Sequence, residues 1–272
     1  MAVITKIQVQ KNNKERYNIY IDKGSGEEYG FSVDGYTLVK YNLRKGMEVD
    51  TFELSTILFD EEVRKAYLQA ISYLSYQMRT KHEVEEQLRK KEIGQAIINE
   101  VIAKLTEEAY INDNEYALAY VRTQSTVSLK GPQRITRELQ EKGISSSIII
   151  NSLHEYTKDK QITNAITLCD KKKKTYRNVS ALQMRQKLEE MLLRKGYTRD
   201  VVSICLEELE EEPEADAEWE AVLYQGQKYH QKYKKYSGWE YQTKIKGALY
   251  RKGFSLELIE RFLSEREELD FE

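Results

Sequence analysis

ITRELQEKGI, residues 135–144, is the stretch from which the rest of the chain can be read. Ile135 and Leu139 stand one helical turn apart, Lys142 and Gly143 close the following turn, and apolar Ile144 comes at once afterwards. This is the pattern of an amphipathic helix that stops on a glycine and leads directly into a second helix. The pattern returns as LEEMLLRKGY (188–197) and IKGALYRKGF (245–254), and in weaker form as VEEQLRKKEI (84–93). With Leu88, Leu139, Leu192 and Leu249 taken as equivalent, the copies lie 51, 53 and 57 residues apart. That period is too long for tetratricopeptide, ankyrin or HEAT units.

The register extends beyond the motif. Four positions before each anchor stand Val84, Ile135, Leu188 and Ile245; five after it stand Ile93, Ile144, Tyr197 and Phe254. Ten after it are Ile98, Ile149, Val202 and Ile259, and fourteen after it Ile102, Leu153, Leu206 and Leu263. These offsets describe two successive helices, each with one buried face. A further helical pattern precedes each pair, around 61–76, 114–125, 160–174 and 217–234. The unit is therefore three helices, and there are four units.

Gly143, Gly196 and Gly253 each follow a last helical turn, where glycine adopts a left-handed cap at least cost and the preceding lysine answers the helix dipole. Ser145, Thr198 and Ser255 then stand where the next helix needs an N-cap. The first copy has Glu92 in place of the glycine, so its connection is expected to turn less sharply or to use Gly94.

The start of the chain is different. Residues 4–10 and 16–22 alternate apolar and polar positions as half-buried strands do, with turn candidates at 11–14 and 24–26 and further short strands expected at 28–33 and 47–54. Tyr17, Tyr20, Tyr29, Phe31, Tyr36 and Tyr41 suit either ordinary strand packing, with the element docking on the helices, or base stacking by a small barrel. The fold expected is mainly α, an elongated array of four tandem three-helix repeats preceded by a small N-terminal β-rich element. The boundaries are 1–57 for that element, then 60–109, 110–158, 159–212 and 214–268 for the repeats.

Composition agrees with a thin repeat architecture: 32% of the 272 residues are charged, and only two are proline. No apolar run is long enough to span a membrane and no charged-then-apolar leader opens the chain, so a cytoplasmic protein without membrane contact is expected. Cys169 and Cys205 sit in helical patterns far from any second Cys or His at ligand spacing, and read as small buried hydrophobes with no disulfide. His82, His154 and His230 are scattered, and no HExxH, CxxC, GxxxxGKS or GxSxG pattern occurs. No catalytic residue, metal or cofactor is assigned, and the chain is read as a binding protein.

The small net charge of −2 conceals segregation, since residues 207–218 carry eight acids and no base whereas 219–255 is strongly basic. That acidic stretch reads as a solvated connector, with mimicry of DNA charge as the alternative. Arg89, Lys90 and Lys91, then Lys130, Arg134, Arg137 and Lys142, then Arg194 and Lys195, then Arg251 and Lys252 recur at related places in successive repeats. Either they line one edge as a stripe for a filament or phosphate backbone, or they answer helix dipoles. The run Lys171, Lys172, Lys173 and Lys174 must splay around an exposed helix end. Tyr229, Tyr233, Tyr236 and Trp239 alternate with lysines and suit stacking or the repeat's own core.

YLSYQMRTKHEVEEQLRKKE (73–92), YINDNEYALAYV (110–121) and GPQRITRELQEKGI (131–144) fall in the order and spacing of the RecX family of RecA regulators, which the chain resembles. These blocks cover the first two repeats; the RKGY and RKGF units look like further copies, and the strand-rich start is similar to the extension of longer, Gram-positive members. The resemblance implies a monomeric negative modulator in recombination, DNA repair and the SOS response. Such a protein binds the RecA filament on single-stranded DNA and inhibits ATP hydrolysis, filament extension and strand exchange, with any direct contact to the DNA weak. A sequence-independent nucleic-acid-binding module is the alternative.

Overall fold

A computed structural model describes residues 1–209 and 215–270, so that residues 210–214 of the acidic run around Pro213 lie outside the described residues. Four strands open the chain: β1 (Ala2–Val9), β2 (Arg16–Asp22), β3 (Glu27–Asp34) and β4 (Glu48–Val49), antiparallel in the order β3-β2-β1-β4. Alternation places Ile4, Ile19, Ile21, Phe31 and Val33 on one buried face. A short helix, α1 (Gly35–Lys40), follows β3 and is capped by the Asp34 carboxylate, which accepts from the Thr37 amide at 2.7 Å.

The strand expected at 47–54 is only two residues long. Asp50 ends it by capping α2 (Thr51–Leu74): its carboxylate accepts from the Glu53 amide at 2.7 Å, and Glu53 accepts from the Asp50 amide at 3.2 Å. This reciprocal capping box satisfies two backbone donors at once, and the chain turns helical about ten residues earlier than its hydrophobic pattern indicated. Ile57, on the first turns of α2, belongs to the sheet's core, while Ala66, Tyr67 and Ala70 belong to the next core along. Between them lies Glu61, 2% exposed, which pairs with Arg16 at 2.7 Å and accepts from the Asp34 amide at 2.9 Å. The sheet is thus docked on the helix that begins the first repeat.

The remaining helices come in the expected triplets. With α2 stand α3 (Lys81–Arg89) and α4 (Gln95–Glu107); then α5 (Asp113–Thr126), α6 (Pro132–Glu141) and α7 (Ser146–Leu153). The third set is α8 (Lys158–Lys173), α9 (Ala181–Lys195) and α10 (Arg199–Glu208), and the fourth α11 (Ala215–Tyr233), α12 (Gly238–Tyr250) and α13 (Leu256–Asp270). The four anchor leucines and the four residues one turn before them are all at most 2% exposed. Ile98, Ile149, Val202 and Ile259 are buried as well, which confirms the register of the second helical face.

By contact density the described chain forms two compact units, Met1–Tyr116 with Lys142–Ile144, and Ala117–Glu141 with Ser145 onward. Gly143, Gly196 and Gly253 have φ of +78°, +91° and +84°, the left-handed region that favours glycine. Glu92 adopts the same turn at φ +60°, so the first connection is as sharp as the others, and Gly94 instead serves as the N-cap of α4. Cys169 and Cys205 are fully buried, as small core residues, but they are neighbours: their sulfurs lie 3.9 Å apart between α8 and α10. The hydrogen bond to Cys205 and burial push the Cys169 thiol up, and both cysteines are free of disulfides.

Candidate nucleic-acid and filament interface

Several of the basic residues sit at a recurrent joint between the middle helices of the triplets. In the first unit the Thr80 hydroxyl, wholly buried, accepts from the Glu83 amide at 3.1 Å and donates to the carbonyl of Lys142 at 2.8 Å. In the second unit the Gly131 amide donates to the Lys195 carbonyl at 2.9 Å, and the Gln133 amide to the Gly196 carbonyl at 3.0 Å. There too the Ser180 hydroxyl, also wholly buried, accepts from the Gln183 amide at 3.1 Å and donates to the Lys252 carbonyl. The start of one middle helix therefore meets the Lys–Gly ending of the next, and orphan amides or a capping hydroxyl find the orphan carbonyls that a helix end leaves open. Each such bond contributes about 1 kcal/mol net.

This geometry sorts the candidate cations. Lys142 is a joint residue: its ammonium reaches Glu83 at 2.7 Å and lies over the Tyr116 ring at 5.5 Å. Against the effect of burial, its bonds to Glu83 and Tyr116 push its pKa up. Arg89 pairs with Glu86 and bonds Gln95 at 3.2 Å, while Lys90 and Lys91 are exposed at the end of α3. In the fourth triplet Arg251 is exposed and Lys252 half-buried.

A cluster forms in the second unit. Lys130, from the turn before α6, binds both oxygens of Glu138 at 2.7 and 2.8 Å, and Arg134 binds the same carboxylate at 3.1 Å. Tyr120 donates to it at 2.9 Å. Lys195 lies beside them at the end of α9, its ammonium donating to the Ser128 carbonyl at 3.1 Å. Burial lowers the Lys195 pKa, and the positive fields of Arg134, Lys130 and Lys172 lower it further. Lys130 and Arg134 thus share the Glu138 carboxylate, and Lys195 and Lys172 lie within electrostatic reach of them, four cations against one acid, which leaves a surplus of positive charge. Of the run ending α8, Lys171, Lys172 and Lys174 are exposed, and Lys173 turns in to donate to the Leu209 carbonyl at 3.3 Å. Arg137 and Arg194 are exposed on α6 and α9.

The aromatic candidates are mostly structural. Phe31 is in the sheet core, Tyr17 and Tyr41 pack against it, and Tyr36 is faced by Arg64 at 4.8 Å and Lys104 at 5.3 Å. Tyr229 and Tyr233 stack at 6.1 Å against the fourth core, whereas Trp239 is 80% exposed. Among the described residues no group of His, Cys, Asp or Glu could hold a metal ion, and no helix is long and apolar enough to cross a membrane. Sequence reading missed Glu138 as the counter-ion and Thr80, Gly131 and Ser180 as joint donors. A signal was present: lysine occupies the third position after the anchor in all four copies, at Lys91, Lys142, Lys195 and Lys252.

Family models account for this architecture almost from end to end. The "Regulatory protein RecX N-terminal domain" matches residues 2–50, and the first and second three-helix domains of RecX match 66–105 and 112–153. The third three-helix domain matches twice, at 159–206 and 216–263. The chain belongs to the RecX family. "Regulatory protein RecX" of Bacillus cytotoxicus is 63% identical over 263 residues, 97% of each chain, and that of Bacillus cereus 62% identical over 268 residues, 98% of this chain and 99% of the relative. A solved structure titled "Crystal structure of regulatory protein RecX" aligns with a TM-score of 0.66 at 34% identity, covering 76% of this chain and all of that one. RecX from Lactobacillus salivarius aligns at 0.53 and 38% identity, over 55% of this chain and 97% of its own. The double match of one RecX domain makes the fourth triplet a second copy of the third kind, and RecX is by its name a regulatory family.

Proposed function

We propose that this RecX protein is a cytoplasmic negative modulator of the RecA recombinase. It binds the RecA filament on single-stranded DNA and inhibits its ATPase, filament extension and strand exchange. The observation that carries the reading is that Lys130 and Arg134 meet on one carboxylate with Lys195 and Lys172 in their electrostatic reach, Lys195 being shifted down by burial first and then by these positive neighbours. Such a surplus favours a polyanion, either phosphate groups or an acidic protein surface. Arg137 on α6, Lys171 on α8, Lys174 at its cap and Arg194 on α9 are exposed as further cations of the same unit. The chain carries no nucleotide-binding motif, so its effect on hydrolysis is exerted on RecA's own site.

The test is the DNA-dependent ATPase rate of the cognate RecA as this protein is titrated in, with binding to bare single-stranded DNA measured at the same salt. Inhibition at concentrations too low to coat bare DNA supports filament regulation. Binding to bare DNA without effect on RecA replaces it with the second reading that the same cluster favours, a sequence-independent nucleic-acid-binding module.

A further inference from the structure

Each joint has two halves, and the halves do not come out even. Four middle helices supply four starts and four endings, while the three joints use the starts of α3, α6 and α9 and the endings after α6, α9 and α12. The start of α12 and the ending of α3 are left over.

The start of α12 repeats the polar set of the first joint. Ser237-Gly238-Trp239-Glu240 aligns with Thr80-Lys81-His82-Glu83, in which Thr80 donates to a Lys carbonyl and Glu83 binds the same lysine's ammonium. Ser237 makes no side-chain cap bond, and Ser237, Gly238, Trp239 and Glu240 are all exposed, although Thr80 and Ser180 are 0% exposed. Trp239 holds the place that Leu182 holds in α9, two residues after the cap. At the other end Lys91 stands where Lys142, Lys195 and Lys252 stand. Ile93 is only half-buried where Ile144, Tyr197 and Phe254 are buried, as expected for a half that no partner covers.

One residue breaks the match. In the three joints the left-handed position is glycine, and there is no room for more: a Cβ at Gly143 would stand 2.4 Å from the Cβ of His82, at Gly196 2.5 Å from that of Arg134, and at Gly253 2.9 Å from that of Leu182. Glu92 has the same left-handed backbone and a full side chain.

We propose that the start of α12 and the ending of α3 form an interaction surface for a second copy of this chain, and that the Glu92 side chain keeps the two copies from joining end to end. Lys91 would meet Ser237 and Glu240 of the second copy as Lys142 meets Thr80 and Glu83. Two unlike halves make a heterologous contact, so without a block the product is a ring or an open chain of molecules. A single Cβ inside a joint that excludes one is sufficient to prevent it.

The experiment is sedimentation velocity of full-length wild type, Glu92→Gly, Glu92→Ala and the double variant Glu92→Gly/Trp239→Asp over a wide range of concentration. Glycine relieves the left-handed strain at position 92, so Glu92→Gly folds at least as well as wild type, which circular dichroism checks. The proposal expects wild type and Glu92→Ala to remain monomeric, Glu92→Gly to gain mass with concentration, and the double variant to return to monomer. It is overturned if folded Glu92→Gly stays monomeric throughout, if wild type or Glu92→Ala assembles as readily, or if assembly is indifferent to Trp239→Asp.

Discussion

Gly196 lies so close to Arg134 that a Cβ added to the glycine would stand 2.5 Å from both the Cβ and the amide nitrogen of the arginine. Gly46 has nearly the same left-handed φ, +84° against +91°, but nothing within 4 Å of an added Cβ. The pair separates two costs of the same substitution. Gly46→Ala is expected to lose about 1 kcal/mol from backbone strain alone, and Gly196→Ala to lose a further 1–3 kcal/mol, roughly, from overpacking the joint. Urea denaturation of the two variants measures the difference, and equal losses would mean that the joint yields.

Glu61 is buried between the sheet and the first triplet, with Arg16 and the Asp34 amide as its partners. Glu61→Leu leaves Arg16 and the Asp34 amide without this acceptor, and removes the longer pair to Lys65 at 3.7 Å. A loss of about 2–3 kcal/mol is expected, somewhat below the roughly 3–5 kcal/mol of fully buried broken pairs because Arg16 is itself 20% exposed. The shift in the thermal unfolding midpoint reports it.

Burial raises the Glu83 pKa, but Lys142 and the Thr80 amide outweigh it and hold the carboxyl below its ordinary value of 4.5. A carboxylate whose folded pKa is depressed contributes stability above its unfolded pKa and loses it as pH falls through the folded one. Wild type should therefore lose more stability than Glu83→Gln as pH is taken from neutrality to below 4.5. Parallel curves of unfolding free energy against pH would contradict the Lys142–Glu83 pair.

Glu138 moderates the charge of the cation cluster. Glu138→Gln is expected to tighten binding to single-stranded DNA or to the RecA filament and to steepen its salt dependence, whereas Lys172→Gln should flatten it. Loss of one phosphate contact lowers the slope of log K against log salt by about 0.7 for a single strand. Titrations at several salt concentrations read both effects, and an unchanged slope in Lys172→Gln would remove that lysine from the interface.

The repeat, its register and its glycine caps were legible because each depends on neighbours within one helical turn or two. What was not legible depends on distant partners. Glu92 looks like a defect in the first copy until His82, Arg134 and Leu182 are seen filling the space beside the three glycines, from 61, 62 and 71 residues away. The capping box of Asp50 and Glu53 was visible in the sequence, yet the short apolar run after it suits a strand as well as a helix. Cys169 and Cys205 come together only because α8 and α10 pack on one another. The basic residues divide in the same sense. The spacing located the lysines, but only tertiary structure distinguishes Lys142, engaged by Glu83, from Lys195, surrounded by other cations.

The span of α2 has a mechanical consequence. At 1.5 Å per residue its 24 residues make a rod of about 36 Å, rooted at one end in the sheet through Ile57 and Glu61 and at the other in the first triplet through Ala66 and Ala70. No loop interrupts it, so there is no slack to absorb a push. A partner that seized the sheet would turn the first triplet with it, as a hand on a crank turns the shaft.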